Sequence, residues 1–172
     1  REAVAMNRVD HENVIDILDS GETDGGGIYL LMEYLDGHSL RSALRAETFE
    51  ADLAKADSAR SLVSEVEARL GPLSALVNSA AVFQKAPFVE TSAEALEHAW
   101  AVNARAPFLL IQAAAKGMLA RGRGDVVNVL DVGGGLVPWA GYSAYCMTKS
   151  ALAMLTKCLA IELAPAIRVN AI

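Results

Sequence analysis

The chain has 172 residues, enough for one domain or one and a fraction, and 53% of them are hydrophobic, so a real core is within reach. No apolar run reaches the roughly 18–20 residues of a membrane helix, and a net charge of −6 argues against nucleic acid or an anionic membrane surface as a main partner. The two cysteines, Cys146 and Cys158, form no metal-type pair and fall roughly 18 Å apart along one predicted helix, too far for a disulfide, which suits a reducing cytoplasmic setting.

The charge is unevenly spread. Residues before Ala46 carry four basic against nine acidic side chains, whereas the remainder carries eleven against twelve, a contrast that points to two segments of different origin. The chain starts at Arg1 and stops on an apolar run with no polar tail, so both ends read as cuts in a longer sequence.

Residues 1–9 carry a short helical pattern. Two β-prone runs, 14–18 and 28–34, flank a turn-rich stretch and predict a hairpin around Asp24-Gly25-Gly26-Gly27. Residues 35–40 read as a loop entering a helix, and a seam falls near 42–47. Beyond it, strands alternate with helices. Residues 48–53 read as a short strand. Asp57 is placed to cap a helix whose Leu62, Val63, Val66 and Leu70 share a face and which Gly71-Pro72 closes. Residues 73–77 read as a buried strand, and Thr91-Ser92-Ala93-Glu94 fits a capping box for a long helix through Trp100 to about residue 120. A strand over 125–130 follows, then a helix over 143–163 with Leu152, Leu155 and Leu159 inward, then a last strand over 168–172. This alternation predicts an α/β fold, a parallel sheet covered on both faces, preceded by a helix plus β-hairpin.

Tyr145-Cys146-Met147-Thr148-Lys149 sets a phenol and an ammonium one helical turn apart on the same face. A group that moves a proton at a carbonyl or imine needs a donor beside the acceptor atom. A phenol with pKa near ~10 is a poor shuttle at neutral pH unless a nearby cation favours the phenolate. Tyr142 has Cys146 at the equivalent spacing, so only Tyr145 qualifies. The surrounding segments are Leu76-Val77-Asn78-Ser79-Ala80-Ala81, Ala101-Val102-Asn103-Ala104-Arg105-Ala106-Pro107-Phe108, Val126-Val127-Asn128-Val129-Leu130-Asp131, Gly141-Tyr142-Ser143-Ala144-Tyr145 and Ile167-Arg168-Val169-Asn170-Ala171-Ile172. Together, in this order, they resemble the short-chain dehydrogenase/reductase family over about residues 47–172.

That resemblance implies a partial Rossmann-like parallel sheet with flanking helices. It also implies reversible hydride transfer between NAD(P)(H), with NADP favoured, and a carbonyl, alcohol or imine of a small-molecule substrate. In the family's terms Tyr145 is the acid/base, and Lys149 depresses its pKa and holds the nicotinamide ribose. Asn103 anchors a water in the proton relay, and Asn78 ties the sheet near the cofactor. Asp52 and Leu53 approach the adenine, and Ser79 and Ala80 line the same side. No metal is implied. The family's long helices often build dimer and tetramer interfaces, so a homo-oligomer is expected. Asp131 stands where the family has Ser, one residue farther from the Tyr than the common spacing. This suggests a longer Gly133-Gly134-Gly135 loop; by strict spacing Val132 takes the place. Asp there resembles the pteridine-reductase-like branch. A carboxylate beside Tyr145 raises the phenol pKa unless a substrate donor pairs with it, which favours substrates bearing N–H groups.

The family's glycine-rich pyrophosphate turn belongs well before Asp52. No such pattern stands between Arg1 and Asp52; Gly21–Gly27 leads into a predicted strand, not a helix. In the family's sheet the first two strands lie between those expected at 48–53 and 73–77, so both are expected to have open edges. Weak cofactor binding and weak or absent activity are therefore expected. Arg1-Glu2-Ala3, His11-Glu12-Asn13-Val14-Ile15, Tyr29-Leu30-Leu31-Met32-Glu33-Tyr34 and Asp36-Gly37-His38-Ser39-Leu40 resemble instead the N-lobe of a bacterial Ser/Thr protein kinase. That likeness makes Glu2 the helix acid, Met32 the gatekeeper and Glu33-Tyr34-Leu35 the hinge, although the kinase glycine loop, V-A-x-K, H-R-D and D-F-G are absent. The expected organisation is a kinase-N-lobe-like fragment over 1–45 and a truncated dehydrogenase domain over 46–172. The alternatives to oxidoreductase chemistry are an ATP-binding kinase-related module and a non-catalytic fusion or interaction protein.

Overall fold

In the computed structural model, residues 17–22, 28–32, 47–131 and 137–172 are described. The chain divides into two compact units, Arg1–Glu47 and Thr48–Ile172. In the first, strand β1 (Ile17–Glu22) pairs antiparallel with β2 (Ile28–Met32) as the expected hairpin, its register shifting between Ile17 and Asp19. The helix expected over 1–9, the loop over 35–40, Glu2 and the hinge residues 33–35 lie outside the described residues, and of Met32 only the backbone is described.

The second unit runs α1 (Ala56–Leu70), β3 (Ala75–Asn78), a 3-10 turn (Phe88–Glu90), α2 (Ala93–Trp100), a π-turn (Ala101–Arg105), α3 (Ala106–Arg121), β4 (Gly124–Asn128), α4 (Ser143–Glu162) and β5 (Ile167–Ala171). The strands form one parallel sheet in the order β3-β4-β5. Capping differs in detail from expectation. Lys55 occupies the N-cap of α1 and no side chain caps it, while Asp57 sits one turn inside, beside Arg60. Ser92 rather than Thr91 caps α2, accepting from the Ala95 N–H at 3.1 Å, and Glu94, held by its own N–H and Ser92, stays below the usual carboxyl range.

Two expectations are corrected. Residues 48–53 form no strand: a strand exists only through a ladder, and among the described residues nothing pairs with this stretch. Nor is the sheet covered on both faces among the described residues. Along β4 the residues alternate buried and half-buried, and along β5 Ile167 and Val169 are buried while Arg168 and Asn170 are exposed. Right-handed crossovers explain this. Both connections, β3 to β4 and β4 to β5, step the same way across the sheet, so their helices lie on one face. On the other face Arg168 donates to Asp125 at 2.7 Å, an exposed ion pair.

The core lies between the covered face and the helices, with Val63 of α1, Leu110, Ile111 and Met118 of α3, Val126 of β4 and Ile167 and Val169 of β5 in one cluster. Gly122 ends α3 in the left-handed region at φ 70°. Two residues on, Gly124 opens β4 directly under Met118: a Cβ there would lie 2.4 Å from Met118 Sδ and 2.7 Å from its Cβ. Among the described residues no helix is long and apolar enough to cross a membrane.

Replacing Gly124→Ala forces Met118 out of its fully buried position. The expected loss is about 1–3 kcal/mol by overpacking, read as a lower denaturant midpoint at unchanged slope.

Candidate active site

Helix α4 carries Tyr145 and Lys149 on its buried face, 6% and 3% exposed. Both reach the segment leaving β4. The Tyr145 hydroxyl donates to Asp131 Oδ2 at 2.8 Å, and Lys149 Nζ donates to the Val129 carbonyl at 2.7 Å while standing 5.8 Å from the Tyr145 ring centroid. The group therefore sits beyond the carboxyl end of a parallel strand, where α/β sheets open their binding crevices. Val132 and the Gly133–Gly135 loop lie outside the described residues.

The electrostatics decide between the two opposing effects expected on Tyr145, in favour of the one that raises its pKa. Burial, then the hydrogen bond to Asp131, then the charge of Asp131 push the Tyr145 phenol far above its ordinary value, so it is held neutral and not poised as a phenolate. Lys149 does not outweigh them. Burial pushes the ammonium itself below the ordinary lysine value, with the Asp131 charge acting in the opposite sense.

Asn103 is 1% exposed in the π-turn, where Ala106 N–H reaches back five residues to Ala101 O. Its Oδ1 accepts from Val82 N at 2.7 Å, and its Nδ2 donates to Val82 O at 2.9 Å and to Thr148 Oγ1 at 3.0 Å. Thr148, fully buried between Tyr145 and Lys149, donates in turn to Tyr145 O at 2.7 Å. The Asn103 amide thus pins the loop after β3 to the tyrosine-bearing turn of α4, with no amide hydrogen left over for the expected relay water. Thr148 was not anticipated; its signal was its place three residues after Tyr145, one turn along the same face.

Asn78 closes β3 opposite Asn128 in register and donates Nδ2 to Asn128 Oδ1 at 2.9 Å; Asn128 Nδ2 donates to Thr156 Oγ1 at 2.9 Å. This ties both strands to α4. Leu53, Asn78, Ser79 and Ala80 line one cleft of about 230 Å³. Asp52 is not in that lining: it is exposed at the entry to α1, where it accepts from Ala54 N at 3.0 Å and faces Lys55 at 3.3 Å. An aromatic cluster reaches Tyr145 through Phe83. Phe83 stacks on Tyr142 with centroids 4.5 Å apart and meets Tyr145 edge-on at 4.7 Å, and Trp139 completes the cluster. No group of three metal-ligating side chains occurs among the described residues, and no disulfide joins Cys146 to Cys158.

A buried Tyr–Lys pair at the carboxyl end of a parallel sheet marks a Rossmann-like α/β module with a phenol and an ammonium at its crevice. The comparisons agree. A family model described as enoyl-(acyl carrier protein) reductase matches residues 32–172, and the chain belongs to the short-chain dehydrogenase/reductase family. That match takes in residues 32–45, part of the stretch that resembles a kinase N-lobe. The chain is 44% identical over 128 residues to L-xylulose reductase of Mesocricetus auratus, covering 73% of this chain and 50% of that one. A short-chain dehydrogenase from Streptomyces avermitilis superposes with TM-score 0.70 at 37% identity, over 74% of this chain and 47% of that one. A gluconate 5-dehydrogenase from Burkholderia cenocepacia, solved with NADP and tartrate, superposes with TM-score 0.66 at 31% identity, over 70% and 47%. The chain spans about half the length of the curated relatives it matches.

The residues present fit half of a nicotinamide dinucleotide. Lys149 and Tyr145 offer a cation and a hydroxyl beside the crevice, and Asn78 turns a buried Oδ1 without a hydrogen-bond partner toward the β3 end. For the pyrophosphate, the described residues supply no glycine turn leading from a strand into a helix.

Asp131→Asn keeps an acceptor for the Tyr145 hydroxyl and removes the charge, so the phenol pKa should fall toward its ordinary ~10, seen in an ultraviolet phenolate titration. The sign for stability follows. The folded pKa lies above the unfolded ~10, so this group's contribution is complete below pH ~10 and is lost as pH rises from there toward the folded value. Asp131→Asn lowers only the folded value, so the loss should still begin near pH ~10 but end sooner and be smaller in alkaline unfolding, and an unchanged alkaline limb would contradict the assignment.

Proposed function

We propose that this chain carries the proton-transfer half of an NAD(P)-dependent oxidoreductase that moves hydride to or from a carbonyl, alcohol or imine of a small molecule. The observation that carries the reading is the buried Tyr145–Lys149 pair, with the Tyr145 hydroxyl held 2.8 Å from Asp131 and Lys149 anchored 2.7 Å from the Val129 carbonyl. The Burkholderia relative was solved with NADP, which supports NADP over NAD as the cofactor here.

When bound, the nicotinamide supplies or accepts the hydride. The chain's own groups then do the following. Tyr145 stores a proton on its hydroxyl and passes it to a substrate oxygen or nitrogen. Lys149 orients the ribose and keeps a positive charge beneath the phenol. Asn103 and Thr148 hold the turn that aims Tyr145. Asp131 must give up its hydrogen bond for the phenol to face substrate, and a substrate N–H donated to Asp131 makes that exchange without leaving a half-buried carboxylate unpaired. Substrates with N–H beside the reacting carbon, pterin-like rings among them, therefore fit better than a plain ketone.

The organisation proposed with this reading is a kinase-N-lobe-like fragment over 1–45 joined to a truncated dehydrogenase domain over 46–172. Self-association through the outer faces of α3 and α4 belongs to it as well: Phe108, Met147 and Met154 are 46%, 46% and 58% exposed there. A cytoplasmic setting is in keeping with the unbridged cysteines.

Without a pyrophosphate turn, cofactor binding should be weak. Two charge-assisted hydrogen bonds lost at about 1.5–3 kcal/mol each weaken binding by a factor of about 10² or more. The decisive measurement is titration with NADPH followed by nicotinamide fluorescence. Saturable binding in the high-micromolar to millimolar range is expected, weakened by Lys149→Ala and nearly untouched by Tyr145→Phe, which should abolish turnover instead. Binding that ignores Lys149→Ala, or no binding at all, sinks the reading.

A further inference from the structure

We propose that Phe83 is a positioning residue for Tyr145, the wall that keeps the phenol aimed once its hydroxyl has left Asp131. The inference rests on the oxidoreductase reading for its purpose, though not for its geometry.

The need for such a wall follows from the site itself. The 2.8 Å hydrogen bond from the Tyr145 hydroxyl to Asp131 fixes the tip of the ring. It is also the bond that must break before the phenol can face a substrate. A constraint that lasts through this exchange has to act on the body of the ring. Phe83 does so. The two rings meet at 75° with centroids 4.7 Å apart, an edge-to-face arrangement worth a factor of about 2 to 10. On another side Tyr145 borders a cavity of about 20 Å³, lined in part by Ala86, Ala95, Ala99, Gly141 and Ala144. That is room for about one water, so a ring released from Asp131 has slack on that side.

Phe83 is half-exposed, and its placement comes from both ends of its loop. The residue before it, Val82, has both main-chain groups bonded to the buried Asn103 amide, at 2.7 and 2.9 Å. Three residues after it, Ala86 N donates to Gly141 O at 2.9 Å. The Phe83 ring stacks on Tyr142, 11° from parallel with centroids 4.5 Å apart. Trp139 meets both of those rings at 72°, with centroids 6.0 and 5.9 Å away. The Asn103 amide therefore reaches Tyr145 by two routes. One runs through Thr148 to the backbone of the tyrosine's helical turn, the other through Val82 and Phe83 to its ring.

The test uses the whole chain without cofactor, made with ring-labelled tyrosine, and measures the order parameter of the Tyr145 ring by NMR relaxation. Tyr145→Phe identifies which of the four tyrosine signals belongs to it. A value near ~0.85 is rigid and one below ~0.6 is flexible. Asp131→Ala alone and Phe83→Leu alone should each leave the ring rigid, because one constraint remains. The two together should make it flexible, and Phe83→Trp in place of Phe83→Leu should restore rigidity. Circular dichroism checks that each variant folds. If Asp131→Ala does not fold, Tyr145→Phe with ring-labelled phenylalanine gives the same comparison, since the ring at position 145 then has no hydroxyl to bond. A ring already flexible in Asp131→Ala alone overturns the proposal, and so does a ring still rigid in the double variant. An NADPH titration run alongside separates the two readings. Ring behaviour as expected with no NADPH binding would support Phe83 as the wall while sinking the oxidoreductase reading.

Discussion

The site depends on one contact: α4 locked against the segment where the chain leaves β4. Three bonds make that lock at successive heights, from Asn128 to Thr156, Lys149 to Val129 and Tyr145 to Asp131. They are spaced by the helix repeat, since Thr156, Lys149 and Tyr145 recur at intervals that keep one face of α4 toward the strand. Each joins a helix side chain to a residue of, or just beyond, β4. A rotation of α4 by one residue would break all three together, so the phenol's position follows from packing and not from a flexible loop.

The Asn103 clamp is the second fixed point and explains the π-turn. An α-helix running unbroken from Ser92 to Arg121 would set Asn103 by the regular repeat. The extra residue in the Ala101–Arg105 turn changes that phase, and the amide there meets both Val82 main-chain groups and Thr148. The loop after β3 is thereby tied to α4, and β3 is tied to it again through Asn78 and Asn128. Three buried asparagines, Asn78, Asn103 and Asn128, thus tie the loop after β3, β3, β4 and α4 together, an arrangement that is stable only because nearly every polar atom in it is satisfied.

The elements legible in the sequence were those with strong local signals. The hairpin showed in its glycine-rich turn between β-prone runs, α1 in its apolar spacing and closing Gly71, the run of α2 and α3 in the capping residues at its start, and α4 in its apolar spacing. The Tyr145–Lys149 pair was legible because a helix repeat can be counted. What could not be read depended on partners distant in the chain. Residues 48–53 have strand-like composition, but a ladder needs a neighbour and none is described. Coverage on both sheet faces was inferred from alternation alone, whereas it is the direction of successive crossovers that decides it. Of the two opposing effects expected on Tyr145, the Asp131 carboxylate was legible but its balance against Lys149 was not, because burial arises only when β4 and α4 come together. Thr148 offered only its spacing from Tyr145, and Asn128 carried no signal beyond an ordinary polar residue until its partners closed around it.

The charges around Tyr145 also give the proposed chemistry a direction. With the phenol protonated, the group holds one anion, Asp131, one cation, Lys149, and a neutral donor between them. Removing the phenol proton would place two anions in hydrogen-bond contact beside a single cation that burial already disfavours. The protonated arrangement is the stable one at neutral pH, which suits donating a proton to a reduced product more than withdrawing one from an alcohol. A substrate N–H docked on Asp131 sharpens this bias. It occupies the carboxylate and turns the phenol hydrogen toward the substrate, so the residue that raises the Tyr145 pKa also selects the molecule that can use its proton.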